Sequence, residues 1–337
     1  MKFKPNYNST LEWAKSLSRL AARLVFGPLG RLEDMLLPDY QLAHSPVFII
    51  GPPRSGTTML CQLLNYALAT CYFGNLASRL RVQGIRNPPV VLSAWLTKLF
   101  RLMDKRVETF KSDYGRTRWL GNPSDSVMIW QHWFPNRYID TGEFPADARR
   151  AVYQAVAGTE RVFGRPFVDK TVENCTRLRA LVEIFPTALF IRCSRNPLAV
   201  AQSSYIARLK TESPQDHWWP NTRPREYETL RHKSIVEQIC GQVYFLEQNI
   251  AQGLAVVSPE RILTINYKSV CMNPQHEINR IADFMNSYGA CTEQIRSIPA
   301  QFPYSGIRRI PVAKYQALIE HLESLYGRQM TRLEESL

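Results

Sequence analysis

Short apolar runs recur along this chain, separated by stretches in which apolar residues return every three or four positions. Pro46-Val47-Phe48-Ile49-Ile50 closes on Gly51 and reads as a strand buried on both faces. A helical pattern starts near Gly56 and runs through Met59, Leu60, Leu63, Leu64 and Ala67. Ala188-Leu189-Phe190-Ile191 and Arg261-Ile262-Leu263-Thr264-Ile265 predict two more buried strands, and Phe167-Val168 a short one. Helical patterns lie between them at about 145–163, 174–185, 197–210, 228–252 and 274–287. Strands alternating with helices predict an α/β fold of three layers, a central parallel sheet flanked by helices.

Three stretches stand outside that alternation. Residues 1–45 read as a helical extension ahead of an α/β domain over 46–337. Ser9-Thr10-Leu11-Glu12 has capping-box spacing, and Leu11, Ala14, Leu17, Ala21, Leu24 and Val25 share one helical face. Gly27-Pro28 is read as the stop, and docking on the main domain is preferred to a membrane-surface helix. Residues 75–140, with Pro88-Pro89 and the aromatic run Trp130-Gln131-His132-Trp133-Phe134, and residues 211–227, with Trp218 and Trp219, read as insertions around a site at the strand ends.

Composition narrows the partners. The chain has 337 residues, 45% of them hydrophobic, which excludes disorder and coiled coil as the main state. Its formal charge is +13, and Arg79 to Arg118 holds ten basic and three acidic residues, a net +7. Such an excess points to anionic partners. The seven cysteines are scattered without a CxxC pair and read as reduced thiols. No apolar run approaches the roughly 20 residues that span a bilayer, and no signal-type stretch lies near Met1. A cytoplasmic protein is expected.

The chemistry concentrates in Gly51-Pro52-Pro53-Arg54-Ser55-Gly56-Thr57-Thr58, between the first strand and a helix. Its glycines have the GxxxxG spacing of a loop whose backbone amides and helix N-terminus wrap an anion. Thr57 stands where a nucleotide triphosphatase carries lysine, and the cation has moved to Arg54, which argues against an ordinary ATPase or kinase. A second anion signal is Arg192-Cys193-Ser194-Arg195-Asn196-Pro197. It ends a strand and opens a helix, with Asn196 as N-cap, Pro197 at the first helical position and Ser203 two turns on. Ligands of open α/β sheets bind at strand C-termini, and an arginine there offers a planar fork for phosphate.

These motifs resemble the sulfotransferases that use 3′-phosphoadenosine 5′-phosphosulfate (PAPS) as donor. Pro53-Arg54-Ser55-Gly56-Thr57-Thr58 is similar to their 5′-phosphosulfate loop, in the form found in the carbohydrate, tyrosylprotein and many bacterial branches. The resemblance spans roughly 46–325 and implies a P-loop-like fold. It implies that Arg195 and Ser203 hold the 3′-phosphate, and that Lys170 of Val168-Asp169-Lys170-Thr171 stabilises charge on the bridging oxygen. Tyr267 of Asn266-Tyr267-Lys268 would lie near the nucleotide, although Lys268 replaces the family's usual acid. Arg308 and Arg309 of Ser305-Gly306-Ile307-Arg308-Arg309 would close over it. No metal is required, and the product would be adenosine 3′,5′-bisphosphate (PAP).

The acceptor side is less readable. An acceptor hydroxyl needs a general base. The tyrosylprotein branch carries a glutamate where this chain has Asn75, which cannot serve. His132, with an ordinary pKa of about 6.5, and Asp125 are the candidate bases, each against a structural role in packing or capping. An amine acceptor would need little help. Glycan, tyrosyl protein, lipid and small natural product stay open as acceptors, with no nucleic acid among the expected partners. A P-loop kinase or hydrolase and a basic protein that binds an acidic polymer are the alternatives.

Overall fold

The computed structural model describes residues 24, 27–33, 35–36, 38–80, 89–103, 110, 117, 119–123, 126–134, 144–210, 218, 222–304 and 306–327. The sheet is built from β1 (Val47–Ile50), β2 (Val168–Asp169), β3 (Leu189–Ser194) and β4 (Ile262–Asn266), in the order β2-β1-β3-β4 with every neighbouring pair parallel. All four C-terminal ends therefore open on one edge, with β1 and β3 at the centre.

Strand alternation divides the core in two. Phe48, Ile50 and Phe190 face a cluster completed by Trp130, Val156 and Leu246. Val47, Ile49, Leu189, Ile191 and Cys193 face the other way, onto Leu60, Leu64, Ile278 and Met285. The second face is covered by α1 (Thr57–Ala67), which follows the loop after β1 and buries Leu60, Leu63 and Leu64. The helices numbered α2 (Asn75–Leu80), α3 (Val90–Met103) and α4 (Val127–Trp133) precede α5 (Ala146–Phe163), which carries Val152 and Val156 into the first cluster. A 3₁₀ turn over Val172–Thr176 leads to α6 (Leu178–Ile184), and α7 (Pro197–Lys210) follows β3. Three layers result, as the alternation of patterns predicts.

Some expectations are corrected. The 228–252 pattern is two helices, α8 (Tyr227–Leu230) and α9 (Ile235–Leu254). The break is a capping box: the Glu237 amide donates to Ser234 Oγ at 3.3 Å, and the Ser234 amide to Glu237 Oε2 at 2.9 Å. β4 is an edge strand, half-exposed except at Ile265, and not a buried one. Among the described residues, the 75–140 stretch contains α2, α3 and α4. After β4, α10 (Tyr267–Met272) and α11 (Pro274–Ser287) lead to α12 (Val312–Tyr326), which the sequence reading does not anticipate. Leu318, Leu322 and Tyr326 of α12 pack on α7 and α9 through Val200, Tyr205 and Val243.

Ahead of the sheet, Gly27 and Pro28 are themselves helical. Tertiary ties outweigh their poor propensity: the Glu33 carboxylate accepts from the Val91 and Leu92 amides at 2.9 and 2.8 Å, and Glu160 of α5 accepts from the Ala43 amide at 2.7 Å. The Ser9 capping box lies outside the described residues. No described helix is long and apolar enough to cross a membrane.

Candidate active site

Each strand delivers one residue to the same edge. After β1 the chain turns at Arg54, whose φ of 73° is left-handed, and again at Gly56, with φ 105°, before α1 begins. Gly56 is required here. A Cβ on it would lie 2.1 Å from the Tyr267 ring, quite apart from the positive φ. As the N-cap of α1 it carries no side chain, so the first amides of the helix face the loop uncapped, with the positive end of the helix dipole behind them.

Arg54 does not hang free. Its Nε donates to Ser203 Oγ on α7 at 3.1 Å, and its carbonyl accepts from Arg195 Nη1 at 2.9 Å. The guanidinium of Arg195 lies 4.7 Å from the Tyr267 ring centroid, a cation–π contact. Burial lowers the Arg195 pKa from its ordinary value, with nearby Tyr267 and Tyr304 opposing that fall and Arg309 adding to it. An anion arriving at this buried cation would recover the hydration it has lost. Tyr267, the first residue of α10, is pushed up to about 12 by burial and stays a neutral phenol. Asn266 caps that short helix by accepting from the Lys268 amide at 2.8 Å.

Lys170 follows β2 and is only 2% exposed. Its ammonium donates to Thr58 Oγ1 at 3.1 Å, in the first turn of α1. The preceding residue explains how that geometry is held. Asp169 accepts from the Thr171 amide at 2.9 Å, the Thr171 hydroxyl at 3.1 Å, Asn174 Nδ2 at 2.9 Å and Trp130 Nε1 at 3.1 Å. A carboxylate with four donors fixes the turn that aims the lysine at the loop.

The remaining loop residues have distinct positions. Pro53 is buried and has no amide to offer, so it contributes a fixed φ. Ser55 is fully buried: its amide donates to the Pro52 carbonyl at 3.2 Å and its hydroxyl faces inward, close to Gly51, without a hydrogen-bond partner. Its carbonyl accepts from the Cys193 thiol at 3.4 Å, and burial pushes that thiol up to about 12. Thr57 is buried and Thr58 partly exposed. Asn196 caps α7 as the sequence implies, accepting from the Leu198 and Ala199 amides at 2.8 and 3.2 Å.

Gln202 is a site residue that sequence reasoning misses. It is buried on α7 beside Ser203, and its amide grips the late basic loop at two points. Nε2 donates to the Ile307 carbonyl at 3.0 Å, and Oε1 accepts from the Arg309 amide at 2.6 Å. Arg308 and Arg309 themselves are exposed. The partners are 105 and 107 residues apart, so no local pattern announces them.

The candidates on the acceptor side fare differently. His132 is half-buried on α4, edge-on to Trp133 at 6.1 Å, while the same helix sends Trp130 to Asp169 and Gln131 to Glu173. Asp125 and Trp219 lie outside the described residues. Asn75 is a staple, its Nδ2 donating to the Thr117 carbonyl at 3.1 Å and the Trp119 carbonyl at 2.8 Å. Trp218 is buried edge-on to Tyr227, with its indole N–H on the Thr222 carbonyl at 3.2 Å, which is a packing role.

An uncapped helix N-terminus with two arginines and a lysine around it offers donors and positive charge that an anionic group could take. A sequence profile of the sulfotransferase family matches residues 46–287, and the chain belongs to that family. Sulfotransferase STF9 from Mycobacterium avium aligns with a TM-score of 0.48 at 15% identity, over 89% of this chain and 78% of its own. The sulfotransferase domain from the curacin biosynthetic pathway aligns at 0.45 and 16%, over 88% and 98%. That of the Synechococcus PCC 7002 olefin synthase aligns at 0.43 and 16%, over 89% and 96%. No curated protein sequence matches the chain.

Proposed function

We propose that this chain transfers a sulfuryl group from PAPS to a hydroxyl or amine of an acceptor. The carrying observation is the convergence of Arg54, Lys170 and Arg195, from three strand ends, on one loop and helix N-terminus. In the transfer the bond from sulfur to the bridging phosphate oxygen breaks, a bond from sulfur to the acceptor atom forms, and PAP leaves. The acceptor proton passes to a base, for which His132 and Asp125 are the candidates, or to solvent when the acceptor is an amine.

The residues suit a donor carrying two anionic ends. The amides at the start of α1, with Thr57 and Thr58, would hold the 5′-phosphosulfate. Lys170 would neutralise charge on the departing oxygen, and Arg54 charge on the oxygens around sulfur, as fixed cations do in loose phosphoryl transfer. Arg195 and Ser203, with Arg308 and Arg309 on the loop that Gln202 grips, would hold the 3′-phosphate, and Tyr267 would flank the nucleotide. The Arg54–Ser203 hydrogen bond links the two ends, so a 3′-phosphate taking Ser203 would release Arg54 toward the sulfuryl group. The free cysteines, six buried and one exposed, suit a reducing compartment, and a cytoplasmic setting is part of this reading.

The test is PAPS-dependent PAP release without added metal, against a panel of phenol, sugar and amine acceptors. Turnover that falls at least about 100-fold in Lys170→Ala is expected. Failure to consume or bind PAPS, together with binding of ATP that requires Mg²⁺, would overturn the reading and favour a kinase or hydrolase.

A further inference from the structure

We propose that Trp119 is a specificity residue of the transfer reaction, an indole platform that takes the ring of a ring-bearing hydroxyl acceptor beside Lys170. This inference rests on the sulfuryl-transfer reading and goes beyond it by naming the acceptor class.

Trp119 has a φ of 72°, in the left-handed region. Glycine is at ease there, and a bulky L-residue is not. Among the described residues only Arg54, in the anion loop, shares that region without being glycine. Such strain persists where the surroundings enforce it, and it concentrates at sites of function. At Trp119 the enforcement is visible. The Asn75 side-chain amide donates to the Trp119 carbonyl at 2.8 Å, and to the Thr117 carbonyl and hydroxyl at 3.1 and 2.9 Å. The Thr117 hydroxyl donates in turn to the Pro123 carbonyl at 2.6 Å. The Asn75 and Leu76 amides donate to the Asn122 and Leu120 carbonyls, both at 3.0 Å. The turn is thus pinned through its main chain, while the indole it displays is 45% exposed. Trp130, Trp133 and Trp218, by contrast, are buried.

The fold carries this turn to the edge of the site. Cys71 bridges in parallel to Phe167, the residue before β2, so residues 71–75 run beside 167–171 in the same direction. Phe73 packs on Phe167 at 4.7 Å and keeps the two segments together. Asn75 and Lys170 therefore reach the same edge, about one strand spacing, roughly 5 Å, apart. Trp119 stands one hydrogen bond farther out. It lies beyond β2, on the side away from β3, which carries Arg195 and the proposed nucleotide end. An acceptor approaching Lys170 opposite the nucleotide meets Trp119. An indole offers a broad apolar face with a polar edge. A six-membered ring with hydroxyls at its rim matches that face, phenol or pyranose alike, and a straight-chain alcohol does not.

Saturation-transfer NMR tests this on the full chain with saturating PAP, using p-cresol, methyl glucoside and n-butanol as probes. Transfer to p-cresol or methyl glucoside is expected, and the two arms distinguish phenol from sugar; butanol should show none. Trp119→Ala should lower ring binding at least about fivefold, with PAP affinity by calorimetry unchanged. Trp119→Gly should lose ring binding equally and keep or raise the melting temperature, because glycine relieves the φ. A tryptophan kept for packing alone would lower the melting temperature in both variants. The inference is overturned by variants that bind the ring probes as the parent does, by a parent that binds PAP but no ring probe, or by a melting temperature that falls in Trp119→Gly. A parent that does not bind PAP would instead refute the sulfuryl-transfer reading, and this inference with it.

Discussion

Two walls of the fold, the charged strand ends and the aromatic core around α4, are held by different physics. On the strand-end side, charged groups are fixed by polar bonds to distant main chain or to one another: Arg195 on the Arg54 carbonyl, Lys170 on Thr58, Gln202 on Ile307 and Arg309. On the side of α2 to α4, shape is fixed by aromatic packing, with Phe73 on Phe167 at 4.7 Å, Trp130 on Trp133 at 5.9 Å and Phe134 stacked on Phe144 at 4.4 Å. Group transfer explains the division. Charge stabilisation depends on atoms held within a fraction of an ångström, and directional bonds supply that. The aromatic side chains are buried, and close packing fixes their shape without directional bonds. The two walls meet at the hydrogen bond from Trp130 to Asp169.

Breaking that joint should have the largest effect. Asp169→Ala leaves the buried Trp130, Thr171 and Asn174 donors without their acceptor, and urea unfolding should show a loss of about 3 kcal/mol or more. Because Lys170 loses its aim, PAP affinity should fall as well, and a variant with full stability and affinity would refute the joint. Arg195→Ala separates binding from stability. Calorimetry should show PAP bound about 100-fold more weakly, as for a lost charge-assisted contact. The melting temperature should hardly move, because a buried arginine carries its own desolvation penalty.

Gln202→Leu tests whether the basic loop belongs to the charged wall. It removes both ties to Ile307 and Arg309, and PAP binding should weaken about tenfold. Gln202→Glu keeps an acceptor for the Arg309 amide but sets a buried carboxylate against the Ile307 carbonyl and beside the phosphate position, so PAP binding should weaken at least as much. Asn75→Ala acts on the other wall. It should lower stability by about 1 kcal/mol through the freed Thr117 and Trp119 carbonyls and leave PAP affinity intact. An effect on PAP would show that the walls are not separable.

The smallest effect is remote from both walls. Ser234→Ala removes the cap of α9 and should cost about 1 kcal/mol, with no change in PAP binding. Hydrogen bonds from Ser234 hold the Glu237 carboxyl below its usual range. Since the folded-state value is the depressed one, this contribution is complete above the unfolded pKa of about 4.3 and disappears as pH falls through the folded value. Parent and variant stability curves should therefore converge in acid.

What was legible in the sequence follows the same division. Arg54, Lys170, Arg195 and Ser203 stand at fixed offsets from strand ends, so their place could be read from motifs, and the sheet from four apolar runs. Gln202 and the Asp169 clamp were hidden because their meaning lies in partners far along the chain, Ile307 and Trp130. The break before α9 was readable, since Ser234 and Glu237 have the capping-box spacing, but the apolar period running through it masked the signal. α12 carries Leu318, Leu322 and Tyr326 on one face, a period that the reading passed over. The aromatic residues resist for another reason: Trp130, Trp133 and Trp218 look alike in sequence as core or platform, and the structure makes all three core.

The most direct measurement is a calorimetric titration of the full chain with PAP, without Mg²⁺, alongside ATP with Mg²⁺, for the parent, Arg54→Ala and Arg195→Ala. The account predicts micromolar PAP binding by the parent, about 100-fold weaker in Arg195→Ala and less affected in Arg54→Ala, whose side chain is proposed for the sulfuryl end. Tighter binding of ATP that depends on Mg²⁺ and is indifferent to Arg195 would contradict it.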